Sequence, residues 1–173
     1  DCNNNLKTLG KLSIRDLEQY KGIGSAKAIT ILAACELGKR RQKATVEEAP
    51  ILNSAENIYQ FMHTTIQDLD IEEGWVLMMK QNFRLIEAKR ISVGGLTMAP
   101  VDLRLMMKEV LLKNTTVLAF CHNHPSGSTN PSRDDDILTS HIHKACELLH
   151  IHFADHVILT DGGYFSYREE GKL

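Results

Sequence analysis

Residues 116–121 (TVLAFC) form a short, nearly continuous apolar run that stops abruptly at His122-Asn123-His124-Pro125. A strand with one wet face alternates apolar and polar residues, and this run does not. Both of its faces must be covered, which predicts a central strand of a sheet layered on two sides. The flanking segments supply the layers. Residues 72–79 (EEGWVLMM) and 83–92 (FRLIEAKRIS) read as two strands joined by the turn Lys80-Gln81-Asn82. Gly94-Gly95 breaks the chain, and residues 100–113 read as a helix with Pro100 near its first turn. A further helix runs from Ser132 to Leu149, with Ile137, Leu138, Ile142, Ala145, Cys146 and Leu149 on one face. Residues 156–160 and 164–168, split by Asp161-Gly162-Gly163, read as a hairpin. Strands mixed with helices predict an α/β (α+β) body around one sheet.

The front of the chain is different. Residues 1–43 hold nine Lys/Arg against four Asp/Glu, whereas residues 44–173 hold eleven against eighteen. A basic appendage on an acidic body points to a polyanionic partner, or simply to a solvated helical face. Residues 11–20 read as a short helix with Ser13 as its cap, and residues 25–40 as a second, Ala-rich helix. Lys21-Gly22-Ile23-Gly24-Ser25 lies between them, giving the outline of a small all-α helix-hairpin-helix. Gly22 and Gly24 would let the backbone approach a phosphate, with Lys21 and Lys27 flanking it. The same glycines also suit a packed turn. Residues 41–50 are polar and end in Pro50, so the expected division is 1–43, a linker at 44–50, and a body at 51–173. Asn53 or Ser54 caps the body's first helix.

Histidine carries the chemistry. Seven of the eight lie between His122 and His156. His122 and His124 are two apart at the end of the central strand, so their imidazoles face the same side. A carboxylate at the start of the next helix could join them, and Asp134, Asp135 and Asp136 are adjacent there. Ser132 favours Asp135, because Ser-x-x-Asp is a capping-box spacing, although that pair could also do no more than start a helix. Two imidazoles, one carboxylate and an open position are the donor set of a catalytic zinc site, so one Zn2+ per chain is expected.

His122, His124, Pro125, Ser132 and Asp135 fill H-x-H-P-x6-S-x2-D, the JAMM motif of MPN-domain metalloproteases. The surrounding HNHPSG, together with KGIGSAKA, CELGKR, EEGWVL, DHVIL and YFSYREEG, resembles the bacterial RadC family across nearly the whole chain. That resemblance implies a helix-hairpin-helix followed by an MPN-type sheet flanked by helices. It implies that His122, His124 and Asp135 bind zinc and that Ser132 hydrogen-bonds the water or an oxyanion. It also implies a glutamate general base on an earlier strand. The family outline places it four residues before Val76-Leu77, at Glu72, with Glu73 next to it. The sequence departs from the family at Gly74, where a bulky aromatic is usual.

The resemblance therefore implies a zinc-dependent peptidase or isopeptidase with a peptide or protein substrate. RadC proteins have been linked by name to DNA repair, and the front end would bind DNA without sequence preference. A scaffold with a structural or unused metal is the competing class. His141 and His143 cannot share a helix face, and His150 and His152 make a poor ligand pair. Asp155-His156 reads either as a partner of the site or as a satisfied core pair. Cys121 points away from the metal by strand alternation. H-E-x-x-H is absent, as is the H-x-E with P-C-x-x-C of zinc deaminases, and the letters H-N-H are a coincidence of spelling. Cys2, Cys35, Cys121 and Cys146 form no C-x-x-C pair, which suits a reducing, cytoplasmic setting. No run approaches a membrane span. The sequence opens on Asp1, which fits a piece of a longer chain, and leaves the oligomeric state open.

Overall fold

The computed structural model describes residues 6–43, 49–94 and 101–173. The expected linker residues 44–48, Cys2, Gly95 and Pro100 lie outside the described residues. The chain divides into two compact units, Asp1–Glu48 and Ala49–Leu173.

The first unit contains α1 (Leu6–Leu9), α2 (Ile14–Glu18) and α3 (Ser25–Lys43). Ser13 caps α2 through a full capping box with Asp16, each satisfying a backbone N–H of the other. Leu17 and Ala28 are its buried apolar residues among those described. Gly22 turns the chain between α2 and α3 at φ +87°, a conformation that costs other residues dearly.

The second unit is built on a five-stranded sheet in the order β2-β1-β3-β4-β5. Its elements are α4 (Ala55–Ile66), β1 (Glu73–Met79), β2 (Leu85–Val93), α5 (Leu103–Leu112), β3 (Val117–Asn123), α6 (Arg133–Leu148), β4 (His152–Thr160) and β5 (Gly163–Ser166). Only β3 and β4 pair in parallel, joined by α6, and the other pairs are antiparallel. The apolar run is the middle strand, and every residue of β3 is buried. Strand alternation sorts its side chains into two cores. Val117, Ala119 and Cys121 pack with Ile58 and Met62 of α4 on one face. Leu118 and Phe120 pack with Met106 of α5 and Ile142 of α6 on the other. Burial also drives the Cys121 thiol well above its usual range.

Several boundaries differ from expectation. β3 continues two residues further and takes in His122 and Asn123. α5 starts at Leu103, with Asp102 as its cap. β4 begins at His152 rather than 156, since Phe153 and Ala154 extend the buried stretch and Asp155 finds partners inside it. Those partners are the Ser166 hydroxyl at 2.5 Å and the Arg168 N–H at 3.0 Å. No helix among the described residues is long and apolar enough to cross a membrane.

Candidate metal centre

Three elements meet at the C-terminal end of β3. β3 itself delivers His122, and the loop that follows delivers His124. α6 delivers Asp135 from its first turn, and the residue just before β1 delivers Glu72. The β1–β3 ladder ends by pairing Gly74 with His122, two residues from Glu72 on one side and from His124 on the other. One donor atom from each of Glu72, His122, His124 and Asp135 lies within 4.8 Å of the other three. The Nε2 atoms of His122 and His124 are 3.0 Å apart. Asp135 Oδ1 is 3.2 Å and Glu72 Oε1 is 3.9 Å from His122 Nε2. His122 and Asp135 are buried, whereas His124 and Glu72 are half-buried, so the cluster opens to solvent on one side.

His124 and Asp135 are each aimed from behind. His124 Nδ1 is 2.8 Å from the Ser128 carbonyl, which can only accept, so this nitrogen carries the proton and Nε2 keeps its lone pair. Asp135 is aimed by the capping box that starts α6. The Ser132 N–H and hydroxyl both donate to Oδ2 at 2.7 Å, leaving Oδ1 to face the imidazoles. Burial works against the Asp135 carboxylate, but His122 and the two Ser132 donors outweigh it and hold its pKa well below the usual range. The capping box therefore leaves one Asp135 carboxylate oxygen facing the imidazoles, so capping does not withdraw this side chain from the cluster.

Glu72 and Glu73 are separated by alternation. Glu73 turns the other way, where Arg90 Nη1 lies 2.5 Å and Trp75 Nε1 3.1 Å from its carboxylate. It is fully engaged away from the cluster. Asn123, between the two histidines, grips the backbone on both sides of Glu72. Its Oδ1 accepts from Glu73 N at 2.7 Å and its Nδ2 donates to the Ile71 carbonyl at 2.9 Å. No local pattern marks that clamp, because its partners lie some fifty positions away.

Behind His122 stands His156, fully buried, with its Nε2 2.8 Å from His122 Nδ1. Phe120 meets this ring edge-on, and Tyr167 stacks on it at 4.8 Å and 6°. Burial pushes the His156 pKa well below its ordinary value. Asp155 does not reach the site. Phe120 also fills the space above Gly74, where an added Cβ would come 2.9 Å from the ring. His141, His143, His150 and His152 are exposed and stand apart from the cluster. In the first unit, Lys21, Gly22, Gly24 and Lys27 are all exposed, and Lys27 Nζ donates to the Gly22 carbonyl at 2.8 Å.

The donor set fits a divalent cation. Two imidazole nitrogens and two carboxylates converge, and the remaining hydrogen-bonding atom of each imidazole is occupied elsewhere. Two nitrogens bound to one tetrahedral zinc at about 2.0–2.1 Å would sit about 3.3 Å apart, close to the separation seen here.

A mixed sheet covered by helices on both faces, with this cluster at the end of its middle strand, defines a JAB-type (MPN) domain with a metal-binding group. The family model of the RadC-like JAB domain matches residues 52–172, and the chain belongs to that family. A Flavobacterium johnsoniae relative is 39% identical over 167 residues, covering 96% of this chain and 73% of its own. Relatives from Porphyromonas gingivalis and Trichlorobacter lovleyi are each 35% identical, covering 98% of this chain and 76% and 74% of theirs. All three are called UPF0758 protein, a name that states no activity.

Proposed function

We propose that the chain is a zinc-dependent hydrolase of peptide or isopeptide bonds, with His122, His124 and Asp135 holding the metal. The convergence of Glu72 with that trio carries the proposal, because a free carboxylate beside three ligands is what water-activating chemistry needs. Bound there, zinc polarises the scissile carbonyl and lowers the pKa of a water to about 7. Glu72 takes the proton of the attacking water as its oxygen adds to the carbonyl carbon. The carbon–nitrogen bond then breaks as Glu72 returns that proton to the leaving amine. Ser132 gives its hydroxyl proton to Asp135 in the resting arrangement, and rotating it outward supplies a donor for the developing oxyanion.

Elemental analysis tests the metal and a peptide and isopeptide panel tests the chemistry. About one zinc per chain is expected, lost in Asp135→Ala. Glu72→Gln should keep zinc and lose about 10²–10⁴-fold in cleavage rate. A chain that takes up no zinc when it is supplied defeats the reading and favours a scaffold.

A second activity belongs to the first unit. Lys21, Gly22, Gly24 and Lys27 form an exposed turn in a segment of net positive charge, suited to nucleic-acid phosphates. A Cβ at Gly22 or Gly24 would meet nothing within 4 Å, so a phosphate has room to approach the turn. Alanine at both lysines should weaken binding to duplex DNA of any sequence and flatten its salt dependence by up to about two contacts' worth of slope. Unchanged binding would remove this turn from any DNA contact.

A further inference from the structure

The contacts behind His122 do not stop at His156. His156 Nδ1 lies 2.6 Å from Thr139 Oγ1, and Thr139 Oγ1 lies 2.6 Å from the main-chain carbonyl of Asp135. The direction of the protons along this chain is fixed at its far end. A carbonyl only accepts, so the Thr139 hydroxyl spends its single proton on Asp135. Its oxygen is then left to accept, and His156 Nδ1 must carry a proton and donate it. In a neutral imidazole the other nitrogen is bare, so His156 Nε2 accepts from His122 Nδ1. His122 Nε2 is the nitrogen that faces Glu72, His124 and Asp135.

We infer that Thr139 and His156 are positioning residues that hold the His122 proton on Nδ1, so that Nε2 presents its lone pair to the metal. The inference rests on the metal-site reading above for its effect on affinity, and on hydrogen-bond direction alone for the proton order. The relay begins at the main chain of one ligand, Asp135 on α6, crosses β4, and ends on another ligand, His122 on β3. Three elements are thereby locked to one another through a single line of donors. Phe120 and Tyr167 hold the His156 ring so that it cannot swing away. Without the Thr139 hydroxyl, His156 Nδ1 loses the acceptor that holds its proton. A proton on His156 Nε2 would then donate to His122 Nδ1, drive the His122 proton onto Nε2, and block ligation.

Thr139 is buried and is not one of the converging donors, so Thr139→Val removes the hydroxyl with almost no change of shape, and Thr139→Ser restores it. Two readouts apply to the full chain. Long-range proton–nitrogen NMR of the metal-free protein reports which His156 nitrogen is protonated. Competition with a chromophoric chelator reports zinc affinity. The expected result is a wild-type His156 protonated on Nδ1, with a zinc affinity that falls about 10–100-fold in Thr139→Val and returns in Thr139→Ser to within about threefold. A wild-type His156 protonated on Nε2 overturns the inference. So does a Thr139→Val protein that binds zinc as tightly as wild type, or a Thr139→Ser protein as weak as the valine variant. A chain that shows the expected tautomer and affinities yet cleaves no peptide or isopeptide upholds the inference and defeats only the hydrolase reading.

Discussion

At the scale of single residues, two adjacent glutamates are given opposite tasks by strand alternation. Glu73 is buried against Arg90 and Trp75, so Glu73→Gln should weaken a charge-assisted pair and lower stability by about 1–3 kcal/mol. Glu72→Gln should leave stability within about 0.5 kcal/mol, because its carboxylate has no protein donor to lose among the described residues. Denaturant unfolding of both variants checks the contrast, and equal losses would contradict the assignment of the two side chains. The thiols give a second prediction. Burial pushes Cys146 up to about 12 and Cys121 higher still. Burial thus favours the neutral thiol over the reactive thiolate. Native protein should leave both unlabelled by a thiol reagent from pH 7 to 9, while half-buried Cys35 reacts. Rapid labelling of Cys121 or Cys146 would show that the cores open. The convergence of His122, His124 and Asp135 was legible because its signal is local: an i, i+2 pair after an apolar strand and a cap three residues before Asp135. Glu72 was legible only by likeness to a family. Asn123 and Thr139 were not legible, since one clamps backbone of a distant strand and the other looks like an ordinary helix residue.

At the scale of elements, the site depends on how closely β1 lies against β3 and β2. Gly74 sits opposite His122 on β3 and Ser92 on β2. A methyl there would crowd the Ser92 hydroxyl and approach the Phe120 ring, which itself packs on His156. Gly74→Ala should therefore cost about 1–3 kcal/mol of stability and disturb the His156 ring behind His122. Thermal unfolding of the variant measures the first and its zinc affinity the second; a variant as stable as wild type would mean that Phe120 has room to yield. Phe120, on the next strand, already fills the volume beside Gly74. Element order and the middle strand were readable from hydrophobic pattern. The start of β4 was not, because Asp155 interrupts the apolar pattern and is compatible with a buried strand only through Ser166 and Arg168, which lie beyond the next turn.

At the scale of the whole molecule, the metal should act as a clamp on one of the two units. The three proposed ligands, His122, His124 and Asp135, come from the end of β3, the loop after it and the start of α6, all within Ala49–Leu173. A ligand that binds only the folded state stabilises it by about 2.7 kcal/mol at a hundred times its dissociation constant. For a unit of this size that corresponds to about 5–15 °C in Tm. Calorimetry of the zinc-loaded chain with and without a chelator should show the body's transition fall by that amount. Asp135→Ala should melt at the lower temperature and no longer respond to chelator. Among the described residues the first unit contributes none to the cluster, so a signal placed within it, such as a fluorophore on Cys35, should melt at the same temperature in both conditions. An unmoved body transition would mean that the cluster binds no metal tightly. A shift of equal size in the first unit would mean that the two units unfold as one, and that the clamp reaches the segment carrying Lys21 and Lys27.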